Sequence, residues 1–495
     1  MKRTTITGWL LCAAIVGAQA QGLETRPWTM DDCMRYAAEN SLKVRVERHQ
    51  DDTYRAEYRE AVADFFPTLG ARIGGQLNYG RSIDPQTNTY NNISTFNNAY
   101  QAYASLPLFD GGQLINRAKA AAVKRRLGTH EVQRAQDEAA LTTMEAFANV
   151  LYYGGTVRLA SEKLDESRRT LHKTHRMEEL GLKGAADVAQ VEAQVAADDY
   201  NLTHQRNLCD AALRTLKEAM NFPADESLAI DTTVTLPHDA EQASETDDIF
   251  RRAKAANPTM LAAECRREAA RYQYRAARGA MLPQLTFEAG ISTNYFRNLA
   301  DQHTTAFSKQ FFDNNRGEYL ALTLSIPLFD GLGRYTSARR ARNAMRTADT
   351  QRDETLRQLR TAVEQAVADR EGFAKEAVQM RRKVAADSIA YRLTLRKYEE
   401  GLASAIDLQT AANTLIEARA NLLQKQLSHE IKRRLVAYYQ GEGLATESET
   451  TRKPSQQTNP STSQQTNPST SQQTNPSTIQ QTNPSTIQQT PWTYN

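Results

Sequence analysis

Alternation of apolar and polar residues predicts four β-strands, two in each half of the chain. In the stretch 68–79 apolar residues tend to occupy every second position, and polar residues such as Arg72 lie between them. The stretches 99–109, 284–296 and 318–329 alternate in the same way. Each stretch is about ten residues long, which is the length of a tilted strand that crosses a bilayer. A half-buried hairpin of a soluble protein would show the same alternation.

Two long segments without proline predict helices of unusual length. They run from Asp110 to Gly181 and from Asp330 to Gly401, and at 1.5 Å per residue each would reach roughly 105 Å. Apolar residues of the second segment recur at steps of three and four, as in the seam of a coiled coil: Leu356, Leu359, Val363 and Ala366. Shorter helices are predicted at about 31–65, 185–222, 247–281 and 403–439. Two shorter helices stacked end to end would match one long helix in height.

The chain is an internal duplication of one large unit. The segment Leu106-Pro107-Leu108-Phe109-Asp110-Gly111 recurs as Ile326-Pro327-Leu328-Phe329-Asp330-Gly331, an offset of 220 residues. The same offset relates Gly181-Leu182 to Gly401-Leu402. We therefore predict a first structural repeat at 21–235 and a second at 236–445, each in the order helix, strand, strand, helix, helix. The recurring segments mark the predicted strand ends: Pro107, Phe109, Asp110 and Gly111, and Pro327, Phe329, Asp330 and Gly331.

Both ends of the chain differ from the repeats. Lys2 and Arg3 precede an apolar stretch at 9–16, and Ala18-Gln19-Ala20 offers a cleavage site, so residues 1–20 are predicted to be a signal peptide. An uncleaved anchor is less favoured because the apolar stretch is too short to span a membrane. From Ser455 the chain repeats the unit Ser-Gln-Gln-Thr-Asn-Pro-Ser-Thr, which buries too little apolar area to fold, so 446–495 is predicted to be a disordered tail.

Composition excludes several classes of protein. The chain has 61 Lys and Arg residues against 58 Asp and Glu residues, a net charge of +3 that indicates no nucleic-acid partner. Four Cys residues without a Cys-x-x-Cys pair exclude a disulfide scaffold and a thiolate zinc site. No phosphate-binding loop or nucleophile elbow is present, so neither an enzyme activity nor a cofactor is predicted. His172 and His175 precede Glu178, but we interpret them as solvated helix surface and predict no metal site.

The strand count requires self-association if the strands enter a membrane. After the N-terminus no stretch approaches the roughly 18 apolar residues of a transmembrane helix. Four strands cannot close a barrel, and an open strand edge cannot face lipid. Two chains would supply eight strands and three would supply twelve. Because side chains fill an eight-stranded barrel, a conduit favours three or more chains.

The duplicated halves, the paired Pro-Leu-Phe-Asp-Gly strand ends and the turn with Tyr398, Gly401 and Asp407 resemble TolC-type outer-membrane efflux proteins. The resemblance covers about residues 28 to 442. It implies an α+β membrane protein in which a homotrimer forms a 12-stranded outer-membrane β-barrel that continues into a long periplasmic α-helical barrel. It also implies a channel of a tripartite efflux or type I secretion system, set in outer-membrane lipid. Substrates would leave passively after delivery by an inner-membrane pump, of RND or ABC type, through a periplasmic adaptor protein.

The resemblance further assigns roles to residues near the predicted turns at 180–187 and 400–407. The resemblance implies that the adaptor docks at the tips of the helical hairpins, which contain Gly181, Leu182, Gly401, Leu402 and Asp187. It implies that Asp407 and Tyr398 form the gate at the periplasmic mouth, with Asp407 in a ring of three carboxylates. A solvated residue at a helix start is the alternative interpretation of Asp407.

The sequence departs from the family pattern at two positions near the gate. Thr410 stands where the best-known members have a second Asp ring, and Ala403 stands where they have an Arg that cross-links the closed state. The gate would then be weaker or locked by other residues. Two other functions remain open from the residues alone: a structural or adaptor-type periplasmic coiled coil, if the strand pairs are soluble hairpins, and a periplasmic enzyme.

Overall fold

A computed structural model describes residues 27–84, 88–92, 94–232, 245–299 and 305–444; the predicted signal peptide (1–20) and tail (446–495) lie outside them. The helices of the first repeat are α1 (Met30–Asn40), α2 (Leu42–Ala63), α3 (Gln113–Glu179) and α4 (Ala185–Met220). Those of the second are α5 (Thr246–Ala256), α6 (Pro258–Gly279), α7 (Gly333–Glu399) and α8 (Ala405–Gln440). Because α3 and α7 have 67 residues each and α4 and α8 have 36 each, the repeats match in helix length.

The strands are β1 (Thr68–Asn78), β2 (Arg81–Asp84), β3 (Thr89–Asn92), β4 (Thr95–Phe109), β5 (Gln284–Asn298) and β6 (Gly317–Ser325). Four of them form one antiparallel sheet in the order β1-β4-β5-β6, so the pairing of β4 with β5 joins the two repeats. Strands β2 and β3 form a separate hairpin between β1 and β4. A π-helix, Lys309–Asn314, precedes β6.

One face of the four-stranded sheet is apolar and exposed in the protomer. Leu69 on β1 lies opposite Ala104 on β4, which lies opposite Ala289 on β5, so the three side chains share this face. Its large apolar side chains are strongly exposed: Leu69 82%, Ile73 72%, Leu320 77% and Leu322 63%. Exposed apolar area of this extent on a sheet is typical of a lipid-facing surface.

Strand β6 is shorter than the sequence predicts. The stretch 318–329 was expected to be one strand, but β6 ends at Ser325, which pairs with Gln284, the first residue of β5. The residues that follow have no strand opposite them in the protomer, and Pro327 cannot donate a backbone hydrogen bond. The predicted strand-end residues Pro327 and Phe329 therefore lie in the connection between β6 and α7.

The shorter helices before the strands are each broken into two. The stretch 31–65 divides into α1 and α2 at Ser41, and the stretch 247–281 divides into α5 and α6 at Asn257. At the second break Pro258 forces the preceding residue out of the helical region, and Asn257 has ψ of 122°. The Asn257 side chain then caps α6 by accepting from the N–H of Thr259 at 3.0 Å.

The buried apolar residues of the protomer lie mainly along the long helices and the helices packed against them. The largest cluster of buried residues joins α1, α3 and α4 around Phe147, Met144 and Leu216. A second cluster joins α5, α7 and α8 around Ile249, Val363 and Val436. Helix α6 packs on both α3 and α7 and so connects the two repeats. Among the described helices, none is both long enough and apolar enough to cross a membrane.

Candidate functional site

The two long helices end in turns of the same construction. Gly181 and Gly401 adopt the left-handed backbone, with φ of +73° and +76°. The N–H of the next residue donates to the carbonyl oxygen five positions back, at 2.8 Å for Leu182 and 2.7 Å for Leu402. This bond and the left-handed residue close a helix in the Schellman motif, which favours glycine. The turns connect α3 to α4 and α7 to α8, so each repeat forms one helical hairpin with a tip.

The tips present leucine side chains to solvent. Leu182 is 68% exposed and Leu402 is 74% exposed, and neither belongs to a buried cluster. They occupy matching positions in the two hairpins, directly after the left-handed glycines. Because exposed leucines contribute little to stability, their side chains are available to a partner surface.

The two predicted aspartates occupy matching positions at the starts of α4 and α8. The Asp187 carboxylate accepts from the N–H of Gly184 at 3.2 Å. The Asp407 carboxylate accepts from the N–H of Ser404 at 3.0 Å and from its hydroxyl at 2.7 Å, and the N–H of Asp407 donates to that hydroxyl at 3.2 Å. Such reciprocal bonds form a capping box. They hold the pKa of Asp407 below its ordinary value, so this exposed carboxylate is ionised at neutral pH.

Tyr398 does not face solvent near the end of α7 but is buried against α3. Its hydroxyl lies 2.8 Å from Oγ1 of Thr174, and the two side chains are only 2% and 0% exposed. The Thr174 hydroxyl donates its only hydrogen to the carbonyl oxygen of Thr170 at 2.9 Å, so Tyr398 is the donor of the interhelical bond. The Lys183 ammonium lies over the Tyr398 ring, 4.8 Å from its centre.

Further polar contacts tie α3 to α7 near the tips. Lys173 forms an ion pair with Glu399, next to Tyr398 in sequence. About two helical turns away from the tip, Tyr391 hydrogen-bonds Glu166. Burial of Tyr391 and, to a smaller extent, the Glu166 carboxylate raise the pKa of Tyr391. Together with the Thr174–Tyr398 bond, these contacts fasten the second hairpin to the first within one protomer.

The predicted strand ends form the connections from the sheet into the long helices. The Asp110 carboxylate accepts from the N–H of Leu114 at 2.6 Å, and Asp330 accepts from that of Arg334 at 2.9 Å, so each aspartate caps a long helix. Gly111 and Gly331 are left-handed, with φ of +71° and +66°. Only Gly111 is also sterically required: a Cβ there would collide with the backbone of Gly279, where the first repeat meets the second.

The predicted site residues fall into separate groups. The turn glycines, leucines and aspartates lie at the tips, whereas the strand ends lie at the opposite end of α3 and α7. Sequence reasoning missed Thr174, Lys183 and the Lys173–Glu399 pair, because their partners are distant in the chain. The only available signal was a tyrosine one residue before the end of α7. In the part of the chain that the structure describes, neither departure position provides an interhelical hydrogen bond: Ala403 packs beside the buried cluster of the tip, and the Thr410 hydroxyl donates to the carbonyl oxygen of Ile406 in its own helix at 2.8 Å.

A four-stranded sheet with one apolar face, continued by long paired helices with closed tips, defines the protomer of an outer-membrane channel. The chain belongs to the outer membrane efflux protein family, whose model matches residues 34–221 and 249–438. The probable efflux pump outer membrane protein TtgC of Pseudomonas putida is 23% identical over 404 residues, which cover 79% of this chain and 78% of the relative. The outer membrane protein TolC of Escherichia coli is 23% identical over 308 residues, 60% of this chain and 61% of the relative.

The fold is shared with solved outer-membrane channels. The MtrE channel of Neisseria gonorrhoeae superposes with a TM-score of 0.68 at 20% identity, covering 85% of this chain and 91% of that chain. The predicted class, a TolC-type outer-membrane efflux protein with a barrel and a long helical part, is therefore confirmed. The protein is located in the outer membrane and extends into the periplasm, and the alternative of a periplasmic structural or adaptor protein is not supported.

Proposed function

We propose that the protein is the passive exit duct of a tripartite efflux or type I secretion system. Three copies form a homotrimer, which places a 12-stranded barrel in outer-membrane lipid. An inner-membrane pump of RND or ABC type supplies the energy, and a periplasmic adaptor joins the pump to the tips of the helical hairpins. The chain itself catalyses no reaction.

The observation that carries this proposal is the open sheet. Within the described residues β1 and β6 are the outer strands of the sheet, so each has one unpaired edge while its apolar face requires lipid. Backbone groups of an open edge have no water to bond in a bilayer. Pairing β6 of one chain with β1 of the next satisfies these groups, and three chains then close a barrel wide enough to conduct.

The tips and the predicted gate residues fit this duct. Leu182 and Leu402 are exposed at the tips, which supports their use as the adaptor-docking surface together with Gly181, Gly401 and Asp187. The buried Tyr398 supports a closed state in which each second hairpin is held against the first. In the proposed trimer the Asp407 side of α8 faces the central axis, so three exposed Asp407 carboxylates give the periplasmic mouth a negative charge.

The decisive experiment measures assembly and conduction together. Protein extracted from outer membranes should begin at or near Gln21, have about three times the chain mass in detergent, and form ion-conducting channels in a planar bilayer. A soluble monomer in the periplasmic fraction, or a membrane trimer that never conducts, would overturn the duct. Co-purification of an adaptor and an inner-membrane pump with the trimer then identifies the partners.

A further inference from the structure

Glycine and tyrosine alternate in one row across the four-stranded sheet. Gly70 on β1 lies opposite Tyr103 on β4, and Tyr103 lies opposite Gly290 on β5. Gly290 in turn lies opposite Tyr319 on β6. The row therefore reads Gly70, Tyr103, Gly290, Tyr319 at one level of the sheet, and we call it the Gly–Tyr row.

The Gly–Tyr row lies on the polar face of the sheet. Residues two apart on a strand share a face, so Gly70 lies with Arg72, Tyr103 with Gln101, and Gly290 with Glu288. The opposite face carries the exposed leucines and isoleucine that require lipid. Since the apolar face is outward in a membrane barrel, the Gly–Tyr row faces the lumen.

Each tyrosine of the row lies flat over the glycine of a neighbouring strand. A Cβ added to Gly70 would lie 2.6 Å from Cζ of Tyr103, and one added to Gly290 would lie 2.5 Å from Cε1 of Tyr319. Both rings therefore occupy the space in which the side chain of a residue other than glycine would lie at position 70 or 290. Tyr103 on β4 leans over β1, and Tyr319 on β6 leans over β5. Tyr319 is further fixed by its hydroxyl, which accepts from Nε2 of Gln101 at 3.1 Å. The two rings thus lie along the wall, and because each tyrosine is only half-buried, part of it stays accessible from the lumen side.

We propose that the Gly–Tyr row is a substrate-contact ring in the barrel, for exported molecules that carry an aromatic face or a delocalised cation. This proposal rests on the proposed function, because three copies of the row would place six tyrosines around the lumen, in one ring of three Tyr103 and one ring of three Tyr319. Aromatic faces stack on one another and attract cations, so the tyrosines contact such substrates. The glycines set the calibre of the duct, because they let the rings lie flat.

The contact is tested by channel block with tetraphenylphosphonium, an aromatic cation, and tetrabutylammonium, an aliphatic cation of the same charge. In the double variant Tyr103→Leu/Tyr319→Leu, block by tetraphenylphosphonium should weaken roughly tenfold, while block by tetrabutylammonium changes much less. Tyr103→Phe/Tyr319→Phe keeps the π faces and should retain the block. Tyr79→Leu removes an exposed tyrosine outside the row and serves as the matched control.

The calibre is tested by conductance. Gly70→Val/Gly290→Val should push the rings into the lumen and lower single-channel conductance about twofold, since conduction depends on pore diameter. Gly74→Val is the matched control, because Gly74 lies on the same face of β1 and a Cβ there meets nothing within 4 Å. Adding Tyr103→Ala and Tyr319→Ala to the valine variant should restore the conductance.

The outcomes distinguish a failure of the substrate-contact ring from a failure of the proposed duct function. A wild-type trimer that never conducts would remove the proposed function and the ring with it. A conducting wild type whose tetraphenylphosphonium block is unchanged in the double leucine variant would overturn the substrate contact alone. If the valine and Gly74→Val channels conduct equally, the glycines do not set the calibre. Trimer formation on a gel is checked for every variant, and the single variants Tyr103→Leu and Tyr319→Leu, each of which should weaken the block in part, keep the contact testable if the leucine pair fails to assemble.

Discussion

Tyr398 donates a hydrogen bond to Thr174, 224 residues earlier in the chain, at 2.8 Å. The bond joins α7 to α3 near the tips and lies in the buried part of the protomer. A gate that opens by separating the second hairpin from the first must break this bond. The same movement must also break the ion pair of Lys173 with Glu399 and the contact of Tyr391 with Glu166.

Removing the Tyr398 hydroxyl should favour the open channel. Tyr398→Phe keeps the ring but loses the interhelical bond, which is worth about 1 kcal/mol. We expect a higher open fraction in planar-bilayer recordings, by about fivefold per protomer. Thr174→Val should act in the same direction.

A double-mutant cycle decides whether the bond is responsible. Tyr398→Phe combined with Thr174→Val should open the channel no further than the stronger single variant. Tyr335→Phe, which removes a hydroxyl from an exposed tyrosine of α7, is the control and should leave the open fraction unchanged. Fully additive effects would show that the two residues act separately.

The exposed tip leucines should be needed for export but not for folding. Leu182→Ser combined with Leu402→Ser removes apolar surface that the protomer does not bury. We expect a normal trimer and a normal bilayer conductance, but a loss of export in cells and of adaptor co-purification. Gly184→Ala is the control, since Gly184 has φ of −95° and an added Cβ meets nothing within 4 Å. Wild-type export by the leucine variant would exclude these leucines from docking.

Asp407 and Asp187 provide a matched pair for testing the charged mouth. Both accept from the backbone N–H at the start of a helix, and Asp407 additionally bonds the Ser404 hydroxyl, so Asp407→Ala should destabilise its helix start somewhat more than Asp187→Ala. Only Asp407→Ala is expected to reduce block by divalent cations added on the periplasmic side. Because the hydrogen bonds from Ser404 lower the pKa of Asp407, block of the wild type should persist as the pH falls through the ordinary titration range of an aspartate and weaken only below that range. Equal block in wild type and Asp407→Ala would place this carboxylate outside the pore.

A buried carboxylate on α8 should control acid stability. Glu430 accepts from Nη2 of Arg433 at 2.8 Å and from Nε of Arg434 at 2.9 Å, and Arg434 also pairs with Asp31 on α1. Burial raises the pKa of Glu430, but the two arginines outweigh it, so the pKa lies below its ordinary value. The stabilisation is therefore present above about pH 4.5 and is lost as the pH falls through the lowered pKa.

Glu430→Gln should lower the free energy of unfolding at pH 7 by about 2 kcal/mol and flatten its decline between pH 5 and 3. Thermal melting of the detergent-solubilised trimer across this range measures both effects. Glu364→Gln removes an exposed partner of Arg360 and should change little, since such pairs contribute less than about 1 kcal/mol. If the stability of Glu430→Gln depends on pH as that of the wild type does, the loss of stability in acid is due to other carboxylates.

Features that depend on neighbouring residues could be predicted from the sequence. Alternation located the strands, because side chains of a strand point to opposite faces whatever its partner. The turns near Gly181 and Gly401 were predicted for the same reason: each is closed by a local bond between residues a few positions apart. Asp110 and Asp330 were predicted only as strand ends, and the structure adds that each caps a long helix. The 220-residue repeat then fixed the order of elements in both halves.

Features that depend on pairing between distant segments were decided only by the tertiary structure. The end of β6 at Ser325 follows from where β5 begins, and the burial of Tyr398 follows from the face of α3 that carries Thr174. The Gly–Tyr row exists because strand register brings β1, β4, β5 and β6 to one level. A one-residue shift in register would reverse the face of every side chain, and alternation within one strand does not specify that register.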